Sequence, residues 1–260
     1  MYDQTNFIER FGRRIESFGY ALAHPAYGDI RKQGGSRDLF RLLNKPWLPA
    51  EAIGVVVDVG ANEGQFIHVA RKLVPAAAIY AFEPLPAVAD SLEQSDWKDA
   101  KLTVVRAALG AEAGSASLNV SAFSPASSIL APTRLQSETF PQAAVSGQIE
   151  VPVDRLDRWL PEFEAAGGEI LLKIDVQGFE DRVIEGAQQT LRRTAVAVVE
   201  VNLVEFYRDQ CSFDQLLRLM SASAFRPVDI GGIVRRAGTA EIMYMDVAFK
   251  RVARAHAQDA

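Results

Sequence analysis

Residues 53–64 read IGVVVDVGANEG, and the rest of the chain is best read outward from them. Ile53–Val59 is almost entirely apolar and β-branched, the pattern of a strand buried on both faces of a parallel sheet. Gly60 and Gly64 come next, where glycine lets a backbone turn sharply and approach a ligand closely. A helix running from Gly64 to Leu73, stopped near Pro75, would aim its free N–H groups at that ligand. Further strands are expected at Ile79–Phe82, Leu102–Arg106, Ile170–Ile174, Ala195–Val201, Phe225–Ile230 and Tyr244–Lys250. Helices are expected over Glu180–Arg193 and Phe213–Met220. Strands alternating with helices predict a doubly wound α/β sheet.

Composition bounds what such a sheet can serve. The chain has 260 residues, 48% hydrophobic and 23% charged, with a net charge of −5 and a pI of about 5.4. An acidic chain lacks the basic face that coating a nucleic acid requires, so no nucleic-acid partner is expected. The single cysteine, Cys211, excludes an intrachain disulfide and a multi-cysteine zinc site. No apolar run approaches the roughly 18–20 residues of a membrane span. The opening MYDQTNFIER lacks the basic-then-apolar layout of a signal peptide, so a cytoplasmic protein is expected.

Residues 1–50 differ in character from the remainder of the chain. Phe7, Ile8, Phe11, Ile15 and Phe18 recur at helical spacing, and Leu39, Phe40, Leu42 and Leu43 mark a second helical stretch ended by Pro46 and Pro49. Residues 1–45 hold eight Lys/Arg against five Asp/Glu. Three arginines in the first helix are few for an anionic membrane surface. A cap on the main domain, or on a second subunit in a homodimer, is the preferred reading. Residues 121–148, rich in Ser, Ala, Pro and Gln, break the alternation. A segment of that length without clear structure is usually functional, and a lid or substrate-recognition loop is expected there.

The glycine loop narrows the ligand. A dinucleotide fingerprint requires G-x-G-x-x-G, and that register fails at Asn62. No Walker sequence occurs. What stands is Asp58-Val59-Gly60-Ala61-Asn62-Glu63-Gly64, D-x-G-x-N-x-G, which resembles the first motif of class I S-adenosylmethionine-dependent methyltransferases. Glu83, in AFEP at the end of the second strand, lies 19 residues after Gly64. Its two oxygens suit the adjacent hydroxyls of a ribose.

DVGANEGQF, AFEP, VVRAALG, SSIL, VPVDRLDRWL, LLKIDVQGFEDRVIEGAQQTL and DVAFKR together resemble the FkbM family of methyltransferases, over about three quarters of the chain. The resemblance implies a Rossmann-like class I methyltransferase domain over 51–260, with a seven-stranded, mostly parallel sheet whose last strand is antiparallel. Residues 1–50 are then an N-terminal helical extension. It also implies S-adenosyl-L-methionine as cofactor and methyl transfer to a hydroxyl of a sugar or small natural product. On the matched motifs Asp58, Gly60, Ala61, Asn62, Gly64, Glu83 and Pro84 would hold the cofactor, with Ala107 and Ala108, beside Leu109, facing its adenine.

Methyl transfer to an alcohol needs the acceptor oxygen aligned and its proton removed. Lys173 and Asp175 end the fourth expected strand and share a face if it stays extended. Glu200 and Asn202 do the same on the fifth. Asp175 is the candidate proton acceptor with Lys173 and Glu200 beside it, and Asn202 and Gln177 are candidates to shape the substrate pocket. The competing reading makes Asp175 a helix cap and Lys173–Glu200 a structural ion pair. Asp175, Glu200 and Asn202 are also hard oxygen donors competent for magnesium, but no metal is assigned. His68 is read as a packed or exposed structural histidine, and Glu180 as serving a helix N-terminus. The rival functions are an RNA or protein methyltransferase and a cofactor-binding assembly module without catalysis.

Overall fold

The computed structural model describes residues 19–95, 97 and 101–252. The strands, in chain order, are β1 (Ile53–Val59), β2 (Ala78–Phe82), β3 (Leu102–Val105), β4 (Ala108–Leu109), β5 (Gly114–Ser121), β6 (Val145–Asp154), β7 (Glu169–Ile174), β8 (Thr194–Asn202), β9 (Phe225–Arg235) and β10 (Ile242–Arg251). The helices are α1 (Pro25–Lys32), α2 (Arg37–Leu43), α3 (Gln65–Leu73), α4 (Pro86–Gln94), α5 (Arg134–Thr139), α6 (Leu160–Ala166), α7 (Glu180–Glu185) and α8 (Phe213–Ala222). Seven strands form one sheet in the order β3-β2-β1-β7-β8-β10-β9. β10 runs antiparallel to both of its neighbours, while β1, β2, β3, β7 and β8 pair in parallel. The sheet is therefore mostly parallel with its last strand reversed, as the resemblance implied.

Alternation along the strands divides the core into two layers. Val56, Leu171, Val196, Val198 and Ala248 pack with Ile30, Phe40, Phe66 and Ile67 from α1, α2 and α3. Val57, Leu172, Ala197, Val199 and Phe249 face the other way, onto Phe163, Val183, Ile184, Leu216 and Met220 from α6, α7 and α8. The second N-terminal helix is thus built into the main core, and the first layer depends on it. The helix expected around Phe7–Phe18 lies outside the described residues. α1, which the sequence pattern did not mark, buries only Tyr27 and Ile30, too few for a visible periodicity.

The other unmarked element is a small sheet of order β4-β6-β5. Its inner face, Leu118 and Val151, packs on Leu85. The segment 121–148 hangs from it and is more structured than expected. It carries a short 3-10 turn at Ser124–Ala126, helix α5, and the start of β6. Helix Glu180–Arg193 is also interrupted: α7 ends at Glu185, and a 3-10 turn spans Thr190–Arg193. Gly186 accounts for the break. A methyl there would lie 2.0 Å from the Gly110 carbonyl oxygen, so the chain passes the β4 loop in near contact. The Gly186 carbonyl accepts from Asp157 N–H at 3.0 Å on the same side.

Gly186→Ala should lower stability by about 1–3 kcal/mol, the range for forcing an atom into packed space. Gly114→Ala, whose added methyl meets nothing within 4 Å, should change it by no more than about 0.5 kcal/mol. Urea midpoints read the difference, and equal midpoints for the two variants would contradict this packing.

Candidate active site

The strand register converts the apolar inner layer into a charged row at the carboxyl end of the sheet. On one face Val56 is followed by Asp58, Leu171 by Lys173, and Val198 by Glu200, each two residues on. Asp58 pairs in register with Lys173, and Glu200 lies directly opposite Asp246 across the antiparallel β8–β10 ladder. Lys173 Nζ sits 3.0 Å from Asp175 Oδ2 and 4.0 Å from Asp58 Oδ1. Burial works against the lysine charge, but Asp175, Asp58 and Asp246 outweigh it and raise its pKa. Burial pushes Asp58 up to about 6 despite Lys173, and its two oxygens accept no hydrogen bond from the described residues. Burial, with Lys173 partly opposing it, raises Asp246 to about 7. Burial first, then the neighbouring Asp175 and Asp246, raises Glu200 well above the usual carboxylate range.

Two cavities open on this end of the sheet. The first is narrow, with about 60 Å³ of clear space. Gly60, Asn62, Glu83, Pro84, Ala107 and Ala108 line it, with Leu118 and Phe179 among its apolar walls. Gly60 is at φ 79°, and a methyl there would strike the Asp175 carbonyl oxygen at 2.0 Å. Glycine is thus required here by the neighbouring end of β7, a protein contact rather than the ligand approach expected from the sequence. Glu83 is 5% exposed, and its oxygens accept from Asn62 N–H and Leu85 N–H, each at 2.9 Å. Burial raises it to about 7. Each oxygen keeps a second lone pair, and the side chain lines the cavity.

The second cavity is larger, with about 360 Å³ of clear space. Phe123, Phe140, Phe206, Tyr207 and Tyr244 give it aromatic walls, while Asp175, Gln177, Glu200 and Asn202 form its polar end. Pro125, Asp175 and Gln177 line both cavities and so form the partition between them. Gln177 Nε2 donates to Asp175 Oδ1 and to Glu200 Oε1, both at 2.8 Å. That nitrogen occupies the space between two carboxylates where a shared cation would sit. Among the described residues no group of three or more His, Cys, Asp or Glu is arranged to hold a metal ion.

Not every residue singled out in the sequence faces a cavity. Asp58 and Lys173 lie beneath the partition, Ala61 is buried with its N–H on the Phe82 carbonyl, and Gly64 packs under the Trp97 ring. Lys173 pairs with Asp175, with Glu200 held instead by Gln177. Asp175 caps no helix, and α7 has no side-chain cap; Glu180, its first residue, instead ties down the preceding loop, accepting from Val176 N–H and Gly178 N–H at 3.1 Å each. The His68 ring stacks at 4.7 Å on Trp97 and faces neither cavity. Residues 123–128 roof the site, Ser124 Oγ donating to Asn62 Oδ1 at 3.1 Å and Ser128 Oγ to the Gln177 carbonyl at 2.7 Å. The aromatic wall went unread in the sequence, because its five rings come from three separate loops and one strand.

A profile of the methyltransferase FkbM domain matches residues 58–227. The chain belongs to the FkbM methyltransferase family. It is accordingly an S-adenosylmethionine-dependent methyltransferase. The 2-O-methyltransferase NoeI of Sinorhizobium fredii is 29% identical over 204 residues, covering 74% of this chain and 80% of that protein. Among solved structures, the methyltransferase FkbM of Methylobacillus flagellatus KT aligns at 13% identity and TM-score 0.44, over 75% of this chain and 44% of the other. This chain thus spans less than half the length of that protein. The magnesium protoporphyrin IX methyltransferase of Synechocystis PCC 6803, solved with bound SAM, aligns at 10% identity and TM-score 0.41, over 79% and 75% of the two chains. No described helix of this chain is long and apolar enough to cross a membrane.

Asp58, Glu83, Glu180 and Asp246 all have folded pKa values above their ordinary ones. The folded chain therefore holds protons that the unfolded chain has lost, and stability present near pH 4 is lost as pH rises through about 6 to 7. Glu200 and Asp181, also raised, add to the same trend, and His68, lowered by burial, acts in the opposite sense, one group against six. The thermal midpoint of the ligand-free chain should be higher at pH 5.5 than at pH 8. A midpoint that climbs across this interval would contradict the burial of these carboxyls.

Proposed function

We propose that this enzyme methylates a hydroxyl of a sugar or a small polyhydroxylated natural product, with Asp175 receiving the hydroxyl proton. The observation that carries the proposal is the shared partition: the cavity lined by the glycine loop and Glu83 and the aromatic-walled cavity meet at Asp175 and Gln177. Glu83, Asn62, Gly60, Pro84, Ala107 and Ala108 would hold the cofactor, Glu83 at the ribose and the two alanines at the adenine. Asp58, Ala61 and Gly64 support that loop from behind. The bound cofactor supplies an electrophilic methyl group on a sulfonium centre.

The remaining work falls to the chain. Aromatic rings beside carboxylate and amide groups suit a ring with apolar C–H faces and a hydroxylated edge. Such walls hold the acceptor in alignment, which can supply roughly 7–11 kcal/mol of the barrier. Asp175 accepts the hydroxyl proton as the oxygen–methyl bond forms, while Lys173 beneath keeps a positive charge against it. Glu200 and Asn202 flank the same position. NoeI, by its name, acts at an oxygen, which supports an oxygen acceptor here.

The test is transfer of labelled methyl from S-adenosylmethionine to a panel of mono- and oligosaccharides and polyketide-type alcohols. The expected product is a base-stable ether. Asp175→Asn should lower turnover by about 10²-fold or more while S-adenosylhomocysteine affinity stays within about twofold. Base-labile or nitrogen-bound label, or undiminished turnover in Asp175→Asn, would contradict the proposal.

A further inference from the structure

Tyr207 lies outside every sequence motif, yet it completes the hydrogen-bond circuit of the partition. Its hydroxyl donates to Gln177 Oε1 at 2.8 Å, with the Ala126 carbonyl a longer alternative at 3.3 Å. A side-chain amide can turn over and exchange its oxygen and nitrogen. Turned one way, Gln177 gives two N–H groups to two carboxyl oxygens and its oxygen to a donor. Turned the other way, its oxygen would face Asp175 and Glu200. The charged carboxylates, which only accept, select the first arrangement, the tyrosine hydroxyl anchors it by donating to the amide oxygen, and the tyrosine itself is firmly set. Gln210 Oε1 accepts from the N–H groups of Phe206 and Tyr207 at 3.0 and 2.9 Å, and Gln210 Nε2 donates to the Val204 carbonyl at 2.9 Å. Gly178 leaves room for the ring, since a methyl there would lie 3.2 Å from it. Pro132 bridges to Tyr207 from the roof segment, and the side chain is buried.

We infer that Tyr207 is a positioning residue: through Gln177 it holds Asp175 and Glu200 as an aimed pair on the wall of the acceptor cavity. The inference rests on the reading of that cavity given above, and it adds a residue that touches neither carboxylate. Gln177 itself sits at φ 58°, a left-handed backbone setting uncommon outside glycine. Ser128 Oγ, bonded to the Gln177 carbonyl, fixes the backbone from the roof side. Backbone and side chain of one residue are thus anchored separately, the first by the segment over the site and the second by the loop after β8.

The experiment is carboxyl carbon NMR of the full chain, labelled at Asp and Glu and followed against pH. Glu200 is faced by Lys173 and Asp175 from the end of β7, Asp246 and Tyr244 from β10, Glu180 from α7, and Tyr207 itself. Hydrogen bonds to a carboxylate favour its charged form. In Tyr207→Phe the amide loses its orienting donor, and the Glu200 midpoint should move further up by about half a unit or more. Glu180, bonded only to backbone N–H groups at 3.1 Å, should stay where it is. An unmoved Glu200 midpoint in folded Tyr207→Phe would overturn the inference. Should that variant not fold, Gln177→Leu removes the amide through which Tyr207 acts, and with it the donor to both carboxylates. It must then displace Glu200 upward, and an unmoved midpoint there overturns the inference equally. S-adenosylhomocysteine binding by the unmodified chain, measured on the same preparation, reports separately on the functional reading.

Discussion

Lys173 is the point on which the site turns. Strand register places it beside Asp58 and two residues before Asp175, and it is 6% exposed. A buried ammonium is costly unless paired, and here the carboxyls around it supply the compensation. They in turn depend on it, because two carboxyls facing each other across β8 and β10 repel when both are charged. Removing the lysine would leave Asp58 buried with no counter-charge. The apolar layer beneath sets the cost of that arrangement, since Val56, Leu171 and Val198 exclude water up to the residue before the charged row begins.

Above this row, the two insertions divide the available space. The small sheet β4-β6-β5 brings Leu118 to one cavity, and its long β5–β6 connection passes over the glycine loop. The loop after β8 meets that connection: Thr133 N–H donates to the Phe206 carbonyl at 2.8 Å, and Arg208 N–H to the Ala131 carbonyl at 2.9 Å. One segment therefore roofs the cavity beside the glycine loop and walls the aromatic one. A change in the roof would be felt in both.

The parallel strands were legible because burial on both faces demands continuous apolar runs such as IGVVVDV and AVAVVEV, which little else in a chain produces. The glycine loop and Glu83 were legible because close backbone approach and a paired acceptor each require particular residue types at one spacing. β5 and β6 were not, since only Leu118 and Val151 of their inner faces are buried and serines and a proline dilute the alternation. The aromatic wall is a product of tertiary packing: Phe123, Phe140, Phe206 and Tyr244 are far apart in sequence and have no shared period. Tyr207 belonged to no motif either. Its role is visible only once the Gln177 amide is seen between two carboxylates.

The most direct measurement is a crystal structure of the full chain with S-adenosylhomocysteine. The account predicts the ribose hydroxyls on Glu83, the adenine against Ala107 and Ala108, and the sulfur at the partition beside Asp175, directed into the aromatic-walled cavity. A nucleoside bound in the aromatic cavity, or a sulfur turned away from Asp175, would contradict it.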